Sequence, residues 1–230
     1  MSAVPAPARL NCDAYLFDID GTLLNVRDGT HYYAFHNAVR EVFEVDSHID
    51  GVPVHGNTDI GILRAIVRRA GLTDEEFDAK LTRAIAQMCS EVERNATAIK
   101  PELCPSVFDL LQSLASARKL LGIVSGNLER IGWLKLLAAG LRDYFAFGCF
   151  SDQAELRVTI FQNAVQQVRY RLGQTASICI VGDTPSDILA AHQIGVPVIA
   201  VATGIFKVEE LACHAPDICV SCCTELLFEP

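Results

Sequence analysis

The chain has 230 residues, half of them hydrophobic, with 28 acidic against 19 basic side chains and a net charge of −9. That apolar content excludes a disordered chain and suits one large domain, or a core with a smaller insertion. An acidic surface repels phosphate backbones, so nucleic acid is not an expected partner. The longest apolar runs, such as Ile194 to Ala202, are too short to span a bilayer, so no membrane partner is expected. Met1 to Leu10 lacks the basic-then-apolar pattern of a signal peptide, and its first eight residues read as a frayed lead-in. Nine cysteines, an odd number at irregular spacing, read as reduced thiols of a cytoplasmic protein. Cys219-x-x-Cys222 is not followed by the second Cys or His pair that a zinc site needs.

In chain order, the first short apolar run is Ala14 to Asp18. From about Val26 to Lys100 only helical patterns follow. Tyr32, Phe35, Val39, Val42 and Phe43 form one stripe; Ile60, Leu63 and Val67 form a second, ended by Gly71. Phe77, Leu81, Ile85, Met88 and Val92 form a third, opened by Thr73 and Glu76 at capping-box spacing. Residues 26–100 therefore read as an inserted helical block, and residues 1–25 and 101–230 as the core.

Beyond the insertion, β-rich runs and helical stripes alternate. Pro105 precedes a helix with Val107, Leu110, Leu111 and Leu114 inward. Leu120 to Ser125 is the second strand, and Leu128, Ile131, Leu134 and Leu137 a helix closed by Gly140. Phe145 to Phe150, Ile178 to Asp183, Val196 to Thr203 and Ile218 to Val220 supply the remaining strands. Helices run between them, through Phe161, Ala164, Val165 and Val168, and through Pro185, Ile188, Leu189 and Ala191. Near-continuous apolar strands suit burial on both faces, and their alternation with helices predicts a doubly wound α/β fold with a parallel sheet.

Three polar clusters follow strands. In Asp18-Ile19-Asp20-Gly21-Thr22, strand alternation puts Asp18 and Asp20 on one side. Gly182-Asp183-Thr184-Pro185-Ser186-Asp187 brings two more acids to another strand's carboxyl end, where open α/β sheets bind ligands. Converging carboxylates repel one another unless a cation or a shared proton relieves them, and oxygen-only donors suit Mg²⁺ rather than zinc. Ser125-Gly126-Asn127 places a hydroxyl and backbone N–H groups at a helix start, an anion site. Acids with Mg²⁺ on one side and an anion cradle on the other point to phosphoryl transfer. Local roles compete: Asp187 also suits a first helical turn, Asn127 and Ser125 a cap, and Asn57 or Thr58 a helix start.

These motifs resemble those of the haloacid dehalogenase superfamily, in its phosphoglycolate phosphatase-like branch, over roughly Ala14 to Leu227. The resemblance implies a Rossmann-like core with an all-helical cap, and a phosphatase acting on a small phosphorylated metabolite through an aspartyl-phosphate. It makes Asp18 the nucleophile, Asp20 the general acid/base and Thr22 a loop support. It assigns Mg²⁺ to Asp18, the Asp20 carbonyl and Asp183, with Asp187 assisting directly or from behind. Ser125 and Gly126 would hold phosphate, supported by Asn127, and Gly56-Asn57-Thr58-Asp59 resembles the cap specificity loop. The family's usual Lys before the helix preceding the fourth strand is missing: no Lys occurs between Lys135 and Lys207. Arg157 takes that role, with Lys135 as the fallback. His31, His36, His48 and His55 read as solvated or packed, and Trp133 as packing. A sugar-phosphate mutase of the same fold is the first alternative, and a phosphate-binding regulator without turnover the second. A dehalogenase needs neither Asp20 nor Mg²⁺.

Overall fold

The computed structural model describes residues 11–227, so the expected lead-in over the first eight residues lies outside the described residues. Strand β1 (Ala14–Phe17) begins the core, and β2 (Leu24–Val26) leads out of it. Helices α1 (Thr30–Ala38), α2 (Asp59–Arg69) and α3 (Asp74–Arg94) follow, and β3 (Pro101–Leu103) returns. Then come α4 (Val107–Ser116), β4 (Leu120–Val124), α5 (Glu129–Ala138) and β5 (Phe147–Cys149). The chain continues through α6 (Arg157–Leu172), β6 (Ile178–Gly182), α7 (Pro185–Gln193), β7 (Val198–Val201), α8 (Val208–Ala212) and β8 (Ile218–Val220). None of the described helices is long and apolar enough to cross a membrane.

Six strands form one parallel sheet in the order β5-β4-β1-β6-β7-β8. Both of its faces are covered. On β1, Tyr15 and Phe17 enter one apolar cluster with α4, while Ala14 and Leu16 enter another with α6 and α7. Each fully buried Phe or Leu there contributes roughly 1.5–3 kcal/mol over its exposed state. The chain runs outward from β1 through β4 to β5, then returns to β1's other side as β6. That reversal is the topological switch point, where the crevice opens at the strands' carboxyl ends. Phe17 pairs with both Ile123 and Val181, so the residues following β1, β4 and β6 emerge at one level.

A short ribbon frames the insertion. Leu24 pairs with Leu103 and Val26 with Pro101 in an antiparallel ribbon, β2–β3, at its base. The Asp28 carboxylate accepts from the backbone N–H of Thr30 and of Lys100, both at 2.8 Å, tying the outgoing and returning chains together. Strands of three residues are too short to show the alternation that marks a strand in sequence. Among the helices, the Thr73–Glu76 capping box forms in both directions. A π-helical turn at Val39–Phe43 extends α1. The insertion's apolar cluster includes Phe35, Val42, Leu63, Phe77 and Met88, and continues into Leu128 and Ile131 of the core.

The stripe expected on α5 is rotated. Ile131, Gly132, Lys135 and Leu136 are buried, and Leu137 is 65% exposed. A run of three-residue steps drifts around a 3.6-residue helix, so Leu128, Ile131, Leu134 and Leu137 cannot share one face to the end. The true inward face uses the four-residue step from Ile131 to Lys135. Leu189 on α7 and Tyr32 on α1, also expected inside, are half-exposed.

Candidate active site

Asp18 follows β1 directly, its backbone N–H continuing the ladder to Val181 O at 3.0 Å. Asp183 follows β6 in the same way, and Asp187 sits in the first turn of α7. All three are buried, and each offers a carboxylate oxygen within 4.8 Å of the others. Gly21 makes this approach possible. Its φ is +82°, and a Cβ there would stand 2.2 Å from Asp183 Oδ2, so only glycine lets the loop wrap past that carboxylate. Thr22 Oγ1 donates to Asp183 Oδ1 at 3.1 Å. The two expectations for Asp187 coexist. Its Oδ2 accepts from Thr184 N (3.0 Å) and Thr184 Oγ1 (2.7 Å) as half of a capping box, while its other oxygen faces the cluster.

Arg157, the first residue of α6, enters this cluster. Its Nη1 donates to Asp187 Oδ1 and lies 3.5 Å from Asp18 Oδ2. Its Nε donates to the carbonyl of Gly56 in the insertion at 3.2 Å. Burial pushes the Asp18 carboxyl up to about 6, although Arg157 pulls it back. Burial, followed by the neighbouring Asp187 and Asp18, pushes Asp183 up to about 8. One guanidinium is too little positive charge for three buried carboxylates. An all-oxygen donor set short of cationic charge fits a hard divalent ion such as Mg²⁺. Asp18, Asp183 and Asp187 are the side chains that could hold such an ion.

Asp20 points elsewhere. Its carboxylate accepts from Lys135 Nζ at 2.9 and 2.7 Å and from Asn127 Nδ2 at 2.7 Å, so any part it takes in the acidic cluster is through its backbone. Its surroundings raise a carboxyl's pKa, but the Lys135 charge and the bonds from Lys135 and Asn127 outweigh this and hold Asp20 below its ordinary value. Asn127 Nδ2 also donates to Ser125 Oγ at 2.9 Å, and Asn127 Oδ1 accepts from Lys135 Nζ at 2.7 Å. Asn127 therefore does not cap α5, whose N-cap position is Leu128. The fallback assignment of Lys135 is corrected: the rotated face of α5 carries it into the site, where it serves Asp20 rather than the nucleophile position.

A cavity of about 430 Å³ lies above these groups. Asp18, Asp20, Asp183, Ser125, Gly126 and Asn127 form its floor, and Tyr32, Phe35, Val54, His55 and Asn57 its roof. The loop before α2 is docked on the Ser125–Asn127 loop. Asp59 N donates to Gly126 O at 2.7 Å, and Leu128 N donates to Asp59 Oδ2 at 2.8 Å. A Cβ on Gly126 would fall 2.4 Å from Asn57 O. Thr58 does not line the cavity, which corrects its assignment to specificity. It caps α2 by accepting from Gly61 N at 3.0 Å, and donates to Glu155 O at 2.8 Å. Arg64 clasps Glu155 through two bonds of 2.8 Å, and Arg130 pairs with Glu93. His31, read from sequence as solvated or packed, lies at the cavity wall. Its Nε2 lies 3.0 Å from Asp59 Oδ2. Nothing in the spacing of residues 31 and 59 marks them as partners.

The switch-point sheet and its acidic crevice belong to a known class. The model of the haloacid dehalogenase-like hydrolases matches residues 15–201, and the chain belongs to that family. Among individual proteins, it is 31% identical over 222 residues to a phosphoglycolate phosphatase of Synechococcus elongatus, covering 93% of this chain and 95% of that protein. A phosphoglycolate phosphatase of Agrobacterium fabrum is 25% identical, covering 93% and 91% of the two chains. Among solved structures, CbbY from Rhodobacter sphaeroides in complex with phosphate shares the fold at a TM-score of 0.71 and 17% identity, covering 94% and 96% of the two chains.

Proposed function

We propose that the protein is a Mg²⁺-dependent phosphatase of small phosphate monoesters, with residues 26–100 serving as a cap over the site. The observation that carries this reading is the division of the crevice. Asp18 stands with Asp183, Asp187 and Arg157 on one side, and Asp20 stands beside the Ser125–Asn127 cradle on the other. Asp18 is the nucleophile. Its oxygen attacks phosphorus, the ester bond breaks, and the leaving oxygen takes, through the Asp20 carboxylate, the proton that the phosphate monoanion brings. Water then attacks the aspartyl-phosphate and gives its proton to Asp20, which passes it to the departing inorganic phosphate. Bound Mg²⁺ supplies charge neutralisation for the phosphoryl oxygens. Ser125 Oγ and the backbone N–H groups of the 125–127 loop orient the phosphoryl group, and Arg157 balances the buried acids. With Arg157 present, the missing motif Lys no longer argues for a binder without turnover. Phosphoglycolate is the first substrate to test, by the names of the relatives.

Asp18→Asn removes the nucleophile while keeping its shape. Mg²⁺-supported hydrolysis of phosphoglycolate and other phosphorylated metabolites falls more than about 1,000-fold, with the thermal melt retained. Undiminished turnover in that variant refutes the mechanism.

A further inference from the structure

We propose that Lys135 is a positioning residue for the leaving-group acid: from α5 it locks Asp20 and Asn127 into one arrangement beside the phosphate cradle. The proposal rests on the phosphatase reading above and goes beyond it, because that reading gives Lys135 no part in the reaction.

Lys135 is only 4% exposed and lies on the inward face of α5 with Ile131, Gly132 and Leu136. A buried ammonium is costly unless paired, so its presence needs a return. Its Nζ lies within hydrogen-bond distance of three acceptors: Asp20 Oδ1 (2.9 Å), Asp20 Oδ2 (2.7 Å) and Asn127 Oδ1 (2.7 Å). That matches the three donors of an ammonium. Asn127 closes the ring by donating to Asp20 Oδ2 and Ser125 Oγ. The Asp20 side chain itself is 43% exposed toward the cavity. Without these bonds its carboxylate would be free to sample other rotamers above the cradle. Holding a reacting group in place is where such a network acts, since a displacement of about 1 Å can cost about 100-fold in rate. The two cations thus serve different halves of the site. Arg157 contacts Asp18 and Asp187, and Lys135 contacts Asp20.

The test compares leaving groups. p-Nitrophenolate departs without a proton, whereas the alkoxide of phosphoglycolate or glycerol 3-phosphate needs one from Asp20. Full-length Lys135→Met is assayed with Mg²⁺ under single-turnover conditions, so that only formation of the phosphoenzyme is read. Alkyl phosphate cleavage falls about 100-fold with KM little changed, while p-nitrophenol release changes by less than about threefold. Equal losses on both substrates, or no loss on either, overturn the proposal. A wild-type protein that cleaves no phosphate ester overturns the phosphatase reading instead. Should the Met variant fail to fold, Lys135→Gln, which keeps an N–H donor, is put through the same comparison and judged by the same contrast. Asp20→Asn combined with Lys135→Met (or with Lys135→Gln) supplies a second readout. Once Asp20→Asn has removed the acid, the second substitution adds no further loss on alkyl phosphates, and a full additive loss refutes a role exerted through Asp20.

Discussion

The charge imbalance at the acidic cluster has a thermodynamic consequence that can be measured before any substrate is known. In the metal-free protein the Asp183 carboxyl is pushed up from 3.8 to about 8. Between those values the folded state holds a proton that the unfolded chain has released. Stability therefore falls as pH rises through the window and levels off above about pH 8, at a slope of about 1.4 kcal/mol per pH unit per proton. Asp18, raised to about 6, adds to the slope mainly at the lower end. From about pH 6.5 to 8 the Asp183 proton alone costs about 2 kcal/mol, and for a chain of this length the melting temperature drops by about 6 °C. Mg²⁺ binds only the ionised carboxylates, so the rise in melting temperature on adding it grows over the same interval. The assay is thermal unfolding in EDTA and in excess Mg²⁺ across this range, with Asp183→Asn as the control that flattens the EDTA slope. A flat or rising melting temperature in EDTA, or an unaltered slope in Asp183→Asn, refutes the reasoning.

Two other substitutions test the contact between the insertion and the core. In Gly126→Ala the new methyl meets the backbone of Asn57 at 2.4 Å, so the loop before α2 must lift and the Asp59 N–Gly126 O bond is strained. KM for the substrate rises about tenfold while the melting temperature changes little, and an unaltered KM shows that the docked loop plays no part in binding. Arg64→Ala removes a half-buried guanidinium shared among Glu155, Asp74 and Asp78. With its partners partly exposed, the loss is about 1 kcal/mol, read as a fall of about 3 °C in melting temperature, and a larger fall places Arg64 in the folding core rather than in a surface clasp.

How much of this was legible in sequence depended on whether local pattern or distant contact set each feature. The central strands announced themselves because burial on both faces leaves unbroken apolar runs, as in Ile178-Cys179-Ile180-Val181. The motif acids Asp18, Asp20 and Asp183 were readable because each follows such a run, and a parallel sheet brings those ends to one edge. The β2–β3 ribbon was hidden, because its partners stand some eighty residues apart and each strand has only three residues. Thr58 was half legible: its capping spacing to Gly61 was written locally, but its bond to Glu155 O was not. The contacts of Lys135 were hidden for a helical reason: leucines at three-residue steps mark a stripe that drifts off the buried face of α5, where the lysine lies.

The crevice also explains how a protein of net charge −9 can receive an anion. Its overall field disfavours phosphate, so selectivity must come from local balance. The site gathers the carboxylates of Asp18, Asp20, Asp183 and Asp187 around two buried cations, Arg157 and Lys135. With every group ionised, the remaining charge is that of two uncompensated carboxylates, which one divalent ion would match. Lys135 and Asn127 already satisfy Asp20, so the surplus falls on Asp18 and Asp183, the two acids whose pKa values are driven up. The same partition leaves the Ser125–Asn127 loop, with its hydroxyl and backbone N–H groups, as the part of the floor that presents no acid to an arriving phosphate. Attraction of the substrate is thus a property of a few matched charges at three strand ends, and the acidic exterior need only keep competing polyanions away.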